Sequence, residues 1–110
     1  MADTYHKHDI FQAIADPTRR QLLSLLADNE MPVTIISEHF PISRTAVSKH
    51  LRILEEAGLV TERKVGRETR YKLQAEPLKE LRQWLSYYEK FWDNKLSALK
   101  SFVEGKDTNE

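Results

Sequence analysis

The stretch Ser43–Leu73, SRTAVSKHLRILEEAGLVTERKVGRETRYKL, decides the fold of this 110-residue chain. Ser43 is a typical helix N-cap, and Ile42 and Val47 flank it at the spacing of a hydrophobic staple. Gly58 suits the left-handed conformation that ends many helices. The stretch therefore predicts one amphipathic helix that ends at Gly58. After it, the spacing of the apolar residues is no longer that of a helix.

A β-hairpin is predicted after this helix. Val60–Val65 and Thr69–Gln74 alternate in polarity and are joined around Gly66. Arg70 and Lys72 fall on the exposed side of the second strand. The sequence therefore predicts a hairpin with a basic outer face.

Three helices are predicted upstream of this stretch. Thr4–Ala15 carries an apolar stripe, and Asp16–Pro17 is a start signal for a second helix. A short extended piece around Met31–Val33 precedes a third helix, about Thr34–His39, which Pro41 ends. The third and fourth helices then meet across a short turn, in the outline of a helix-turn-helix.

The last predicted element is one long helix from Pro77 to about Val103, followed by a polar tail at residues 105–110. Its aromatic residues, such as Trp84 and Phe91, widen the apolar stripe beyond what one small domain would cover. We therefore expect this helix to pack on its own domain and on another copy of the chain. The order of elements predicts a single winged-helix domain over residues 1–104, mainly α in class.

The charges are unevenly distributed along the chain. The 17 basic and 17 acidic side chains give a net charge of zero. The net charge is −3 for residues 1–43, +4 for residues 44–72 and −1 for residues 73–110. Zero net charge argues against a wholly basic nucleic-acid binder. A local positive field can nevertheless steer a polyanion, so the middle stretch is the candidate contact surface.

Five polar residues lie on the outer side of the predicted fourth helix, opposite Val47, Leu51 and Leu54. Lysine and arginine can donate hydrogen bonds to guanine, and serine and threonine hydroxyls can donate to or accept from base edges. This face therefore suits a major groove. The alternative is an ordinary solvated helix face. DNA contact is favoured because a basic hairpin follows this helix and because acidic residues occur only at the C-terminal end of the helix. The candidate DNA-binding residues of this helix are Arg44, Thr45, Ser48, Lys49 and Arg52.

The predicted hairpin contributes a second basic set. Its short tip at Gly66 would let basic side chains follow a phosphate backbone or enter a minor groove. Alternatively, these charges protect an edge strand from pairing with other chains. We expect Lys49 and Arg52 to contact bases, whereas Arg67 and Arg70 contact phosphates. The candidates in the hairpin are Arg63, Lys64, Arg67 and Arg70.

Composition argues against several other classes of protein. The chain has no cysteine, which excludes disulfides, thiolate metal sites and cysteine nucleophiles. No apolar run approaches the roughly 18 residues of a membrane span. No glycine-rich phosphate loop or converging serine, histidine and acid is visible. We therefore expect a soluble, cytoplasmic protein that is not an enzyme, needs no cofactor and has no membrane partner.

Two N-terminal histidines, His6 and His8, are the remaining candidates for metal binding. A protein metal site usually needs more than two ligands, held in a fixed geometry. We therefore expect no metal site at these two histidines. A metal-responsive sensor that uses these histidines is kept as an alternative.

Phe11–Leu26, FQAIADPTRRQLLSLL, followed by Ser43–Leu73, resembles the ArsR-type winged helix-turn-helix transcriptional repressors of bacteria. The resemblance covers nearly the whole chain. It implies a homodimer joined by the first and last helices, a recognition helix at Ser43–Gly58, and repression by occupying an operator. Two-fold symmetry would make that operator an inverted repeat. The implied dimer-interface residues are Phe11, Leu81, Trp84, Leu85, Tyr88 and Trp92.

The chain departs from the metal-sensing members of this family. Where those members place a cysteine pair, this chain has Val33–Ile36, and residues 77–103 contain no histidine. The resemblance is therefore to the branch without the cysteine motif, and the sequence assigns no small-molecule effector. A winged helix used for protein contacts, with the aromatic last helix as its docking surface, is a further alternative.

Overall fold

The computed structural model describes residues 9–108, except for the side chains of residues 93–97 and 105–108. The described residues fall into two compact units that divide between Lys79 and Glu80. The first unit holds seven elements: α1 (Ile10–Ala13), α2 (Pro17–Asp28), β1 (Met31–Pro32), α3 (Val33–Glu38), α4 (Arg44–Glu56), β2 (Val60–Val65) and β3 (Glu68–Leu73). The second unit holds the two remaining helices: α5 (Leu78–Ser86), which begins just before the division, and α6 (Glu89–Thr108).

The first unit confirms the predicted winged helix. Helices α3 and α4 form the helix-turn-helix, and β2 and β3 form the hairpin, referred to below as the wing. The second strand of the wing lies one residue earlier than predicted. The sheet has the antiparallel order β1-β3-β2, with Met31 opposite Tyr71, so the wing is attached to the segment that enters α3.

Helix α4 begins and ends as the sequence predicts. Ser43 Oγ accepts a hydrogen bond from the Ala46 amide at 3.1 Å, which satisfies one of the open donors of the first turn. At the other end Gly58 has φ +80°, and the Leu59 amide donates to the Leu54 carbonyl at 2.9 Å. This is a Schellman ending, which needs a residue without Cβ strain at the glycine position.

The core of the first unit lies where α2, α3 and α4 meet the sheet. Burial of each large apolar side chain contributes about 1.5–3 kcal/mol, so this cluster determines which face of α4 points inward. The opposite face of α4 is left at the surface. The largest fully buried side chains are Leu22, Ile36, Val47, Leu51, Leu54, Leu59 and Val60.

Two arginines at the start of α2 hold the end of α1. Arg19 donates from Nε to the Ala13 carbonyl at 2.7 Å and from Nη2 to the Gln12 carbonyl at 3.1 Å. Arg20 Nη1 donates to the Ile14 carbonyl at 2.7 Å. The last carbonyls of a helix lack partners within it and attract cations. Both arginines are therefore used inside the fold.

The prediction of one continuous helix from Pro77 to Val103 is wrong, because a turn at Tyr87 and Tyr88 separates α5 from α6. Ser86 Oγ donates to the Gln83 carbonyl at 2.7 Å, the acceptor that Tyr87 would use in a continuous helix. The Tyr88 amide bonds instead three residues back, to Leu85, at 2.9 Å. The break coincides with these local hydrogen bonds and occurs without a proline or glycine.

The ends of the terminal elements also differ from the prediction. Helix α6 continues through Gly105 to Thr108, into the predicted polar tail, because one glycine costs a helix only about 1 kcal/mol. At the other end, α1 spans Ile10–Ala13, and the predicted start of that helix at Thr4 lies outside the described residues.

Candidate nucleic-acid interface

The outer face of α4 carries the five residues predicted to meet DNA. The inward line of this helix, Val47, Leu51 and Leu54, is completely buried. At helical spacing, burial of one line places the other in solvent. The five predicted residues are all exposed: Arg44, Thr45, Ser48, Lys49 and Arg52.

The positive charge of α4 is concentrated toward its N-terminal part. Among the described side chains, no acidic group lies within ion-pair distance of Arg44, Lys49 or Arg52. The acidic residues come at the other end, where burial and the neighbouring Glu62 raise the pKa of Glu55. Arg44 and Lys49 therefore carry charge without a close acidic partner among the described side chains, whereas the charge of Arg52 partly offsets the raised pKa of Glu55.

The wing turns tightly at its tip. Val65 pairs with Glu68, so Gly66 and Arg67 form a two-residue turn. Gly66 has φ +63°, as the first central position of a type II′ turn requires. A Cβ at Gly66 would meet nothing within 4 Å, so the requirement for glycine comes from the backbone angle and not from crowding. The turn leaves Arg67 exposed at the tip.

The strand register divides the basic residues of the wing between its two faces. Arg63 is paired with Arg70, and Lys64 with Thr69. Because side chains alternate along a strand, Arg63 and Arg70 share one face and Lys64 lies on the other, with Tyr71. The cations predicted as one basic surface are therefore not all on the same side.

Two of the predicted wing contacts are held by acidic partners. Arg63 donates to both carboxylate oxygens of Glu30, from Nε at 2.9 Å and from Nη2 at 2.8 Å. Arg70 Nε donates to Glu68 Oε1 at 3.0 Å. Like charges directly opposite each other destabilise a strand pair, and these two carboxylates offset that repulsion. The hydrogen bond from Arg63 also lowers the pKa of Glu30.

On its inner face the wing is joined by a polar contact. The Tyr71 hydroxyl donates to Glu62 Oε2 across the strands at 3.0 Å. Only 8% of Tyr71 is exposed, and burial, followed by its contact with Glu62, raises its pKa to about 12. This hydrogen bond satisfies the polar end of an otherwise apolar side chain.

The predicted dimer-interface residues are divided between the two units. Phe11, in the first unit, and Leu81, in the second, are half-buried. Four others in the second unit are exposed, and within this group the rings of Trp84 and Tyr88 pack edge to face at 5.3 Å. These four are Trp84, Leu85, Tyr88 and Trp92, exposed by 50%, 41%, 37% and 62%.

Further exposed apolar residues extend this surface along α6. Phe91, Leu99, Phe102 and Val103 are all exposed and follow the helical spacing of Trp92. The sequence predicted that aromatic residues such as Phe91 widen the apolar stripe of this helix, although the six residues implied as the dimer interface do not include them. Their spacing in the sequence was a signal that could have identified them.

The described residues contain no group of three or more side chains suited to hold a metal ion. His6 and His8, the predicted alternative, lie outside the described range. Within that range, no helix has the length and apolar character needed to cross a membrane.

Comparison with known proteins identifies the family of this chain. The family model for bacterial regulatory proteins of the arsR family matches residues 16–62, from α2 to the start of the wing. The transcriptional repressor SdpR of Bacillus subtilis is 36% identical over 81% of this chain and 99% of its own length. The regulator Rv2034 of Mycobacterium tuberculosis is 37% identical over 96% of this chain and 98% of its own length. The chain belongs to the ArsR family.

A solved structure supports this assignment at the level of the fold. The crystal structure titled as a possible transcriptional regulator for arsenical resistance matches with a TM-score of 0.67 and 44% identity. The match covers 86% of this ArsR-family chain and 95% of the other. The predicted family and winged-helix fold class are therefore confirmed, and the outer face of α4 belongs to the helix-turn-helix of a DNA-binding family.

Proposed function

We propose that this protein is a sequence-specific transcriptional repressor that binds an inverted-repeat operator as a homodimer. One observation carries the proposal: the outer face of α4 is exposed, cationic and without acidic partners among the described side chains. A helix of this kind fits a major groove, where arginine and lysine donate to guanine O6 and N7. The repressor name of the Bacillus subtilis relative supports the same direction of regulation.

Lys49 and Arg52 are the proposed base-contacting residues of α4, together with the hydroxyls of Thr45 and Ser48. Arg67 at the wing tip contacts the phosphate backbone. Arg63 and Arg70 contribute less than the sequence predicts, since Glu30 and Glu68 occupy their donors.

A second copy of the chain is the proposed partner of the exposed aromatic surface on α5 and α6. Large exposed apolar surfaces are uncommon on isolated chains and mark interaction sites. Aromatic side chains such as Trp84 and Trp92 dominate the energetics of such sites. A symmetric dimer would present two copies of α4 to major grooves about one helical turn, roughly 34 Å, apart.

The experiment that tests this function is selection of bound duplexes from a random-sequence pool, followed by footprinting. We expect an enriched imperfect inverted repeat, protected in two half-sites about one helical turn apart. The aromatic surface also supports a second candidate, a winged helix that docks on another protein. That candidate predicts no enriched sequence and no protection, together with a heteromeric complex of defined stoichiometry.

A further inference from the structure

A cleft of about 100 Å³ lies between the start of α4 and the tip of the wing. Pro32 and Val33, at the junction of β1 and α3, also line it. Its polar lining residues are Thr34, Arg44, Arg67, Glu68 and Thr69. This space is referred to below as the wing cleft. It joins two elements, α4 and the wing, that were predicted to meet DNA separately.

The lining of the wing cleft suits a phosphate group. Arg44 and Arg67 provide two guanidinium groups, whose planar donors match phosphate oxygens. Thr34 and Thr69 add hydroxyls that can donate to the same oxygens. The carboxylate of Glu68 also lines the cleft, but it accepts from Arg70 Nε at 3.0 Å, which compensates its charge. With two cations and one paired anion, the cleft has a positive balance.

The size of the cleft agrees with this ligand. A cleft of about 100 Å³ is large enough to admit a phosphate group. Among the described side chains, Arg44 and Arg67 have no acidic partner within ion-pair distance, in contrast to Arg63 and Arg70. Arg63 and Arg70, which are paired with carboxylates, are not among the lining residues, whereas Arg67 lines the cleft.

We propose that the wing cleft binds one backbone phosphate of DNA, held jointly by Arg44 and Arg67. This inference rests on the proposed function and adds a specific site to it. A phosphate held here makes one DNA strand pass between α4 and the wing, which sets the position of α4 along the groove. Phosphate contacts of this kind determine register and orientation but carry no sequence information themselves.

The test uses the full chain and a duplex that it has selected from a random pool. Each phosphate of one half-site is replaced in turn by an uncharged methylphosphonate, and affinity is measured by fluorescence anisotropy. For the wild type we expect one position at which the replacement costs about tenfold in affinity, the size of one charged hydrogen bond. In the double variant Arg44→Gln, Arg67→Gln, the same replacement should cost almost nothing.

A matched control is Lys79→Gln, which removes an exposed cation of the first unit that pairs with Glu76 and does not line the cleft. In this variant the tenfold loss at the sensitive position should remain. Circular dichroism and thermal unfolding verify that the variants are folded, as expected for exposed side chains.

Three results would overturn the proposal, and they differ from one another. In the first, the wild type binds its duplex, but each methylphosphonate replacement lowers affinity equally in the wild type and the double variant. The cleft then holds no backbone phosphate. If no duplex is selected at all, the proposed function fails as well. If instead inorganic phosphate saturates amide shifts at Thr34 and Thr69 in NMR while no methylphosphonate position couples to the arginines, the cleft binds a free phosphate and not DNA.

Discussion

Arg63 of the wing and Glu30, 33 residues apart in the chain, form a two-point ion pair. The guanidinium donates through Nε and Nη2 at 2.9 and 2.8 Å, a geometry that fixes its orientation as well as its position. The carboxylate compensates the charge that would attract a DNA phosphate and takes two of the five guanidinium donors. In the proposed complex with DNA, Glu30 therefore reduces the contribution of Arg63, and the wing offers a backbone fewer free cations than its composition suggests.

The variant Glu30→Gln should bind DNA more tightly than the wild type. Removing the carboxylate releases Arg63 for the backbone, so the slope of log affinity against log salt concentration should become steeper by about one. Anisotropy titrations at several salt concentrations measure this slope. Glu76→Gln is the matched control, because Glu76 pairs with Lys79 at 2.9 Å away from the wing. Equal slopes for Glu30→Gln and the wild type would show that Arg63 does not reach DNA.

Alanine variants should separate base contacts from phosphate contacts. Lys49→Ala or Arg52→Ala should weaken binding to the selected duplex by about 1–3 kcal/mol and relax the base preference. Arg67→Ala should weaken all sequences similarly and reduce the salt slope by about one. Arg70→Ala should have a smaller effect, since Glu68 already holds this side chain. Binding to specific and scrambled duplexes at several salt concentrations distinguishes these results, and identical behaviour of Lys49→Ala and Arg67→Ala would contradict the assigned roles.

The variant Trp92→Glu should convert the proposed dimer to a monomer. Trp92 is 62% exposed on the apolar face near the start of α6, and the proposed dimer would bury it. A carboxylate in that interface would have to be desolvated without a partner. Analytical ultracentrifugation measures the mass. Ser101→Glu is the control on the opposite side of the same helix, nine residues away, and should remain dimeric. A monomeric wild type, or a dimeric Trp92→Glu, would place the interface elsewhere.

Removal of the Tyr71 hydroxyl should change the alkaline stability of the first unit. The pKa of Tyr71 is raised from 10.0 to about 12, so its neutral form is favoured in the folded state. Its contribution is complete below pH 10 and is lost as the pH rises through about 12.

In urea titrations at neutral pH, we expect Tyr71→Phe to lower the free energy of unfolding by about 1 kcal/mol, the usual contribution of one hydrogen bond. The variant should also lose less stability than the wild type as the pH rises above 10. Tyr87→Phe is the control, because Tyr87 is 70% exposed and should show neither effect. Parallel alkaline losses in Tyr71→Phe and the wild type would show that another group is responsible.

The sequence by itself determined the recognition helix and the wing. Apolar residues at helical spacing, a serine N-cap and a glycine ending lie within one short stretch, so local physics is enough to specify α4. The same holds for the wing, whose alternating strands meet at a glycine in a two-residue turn. Even the exposed face of α4 followed from the pattern, because burying one side of an amphipathic helix exposes the other.

The break between α5 and α6 was not predictable in this way. Apolar periodicity continues across Tyr87 and Tyr88, and neither a proline nor a glycine marks the turn that lies there. The hydrophobic pattern specifies which residues share a helix face, but it does not specify whether every backbone hydrogen bond along the helix is made.

The tertiary structure alone decided which cations are available to a partner. Arg19, Arg20, Arg63 and Arg67 are the same residue type in the sequence, yet two of them hold the end of α1, one is held by Glu30, and one lines the wing cleft. An ion pair depends on a distance of a few ångströms between residues that are far apart along the chain. Residue types and spacing carry the total charge, whereas the fold determines where that charge remains uncompensated.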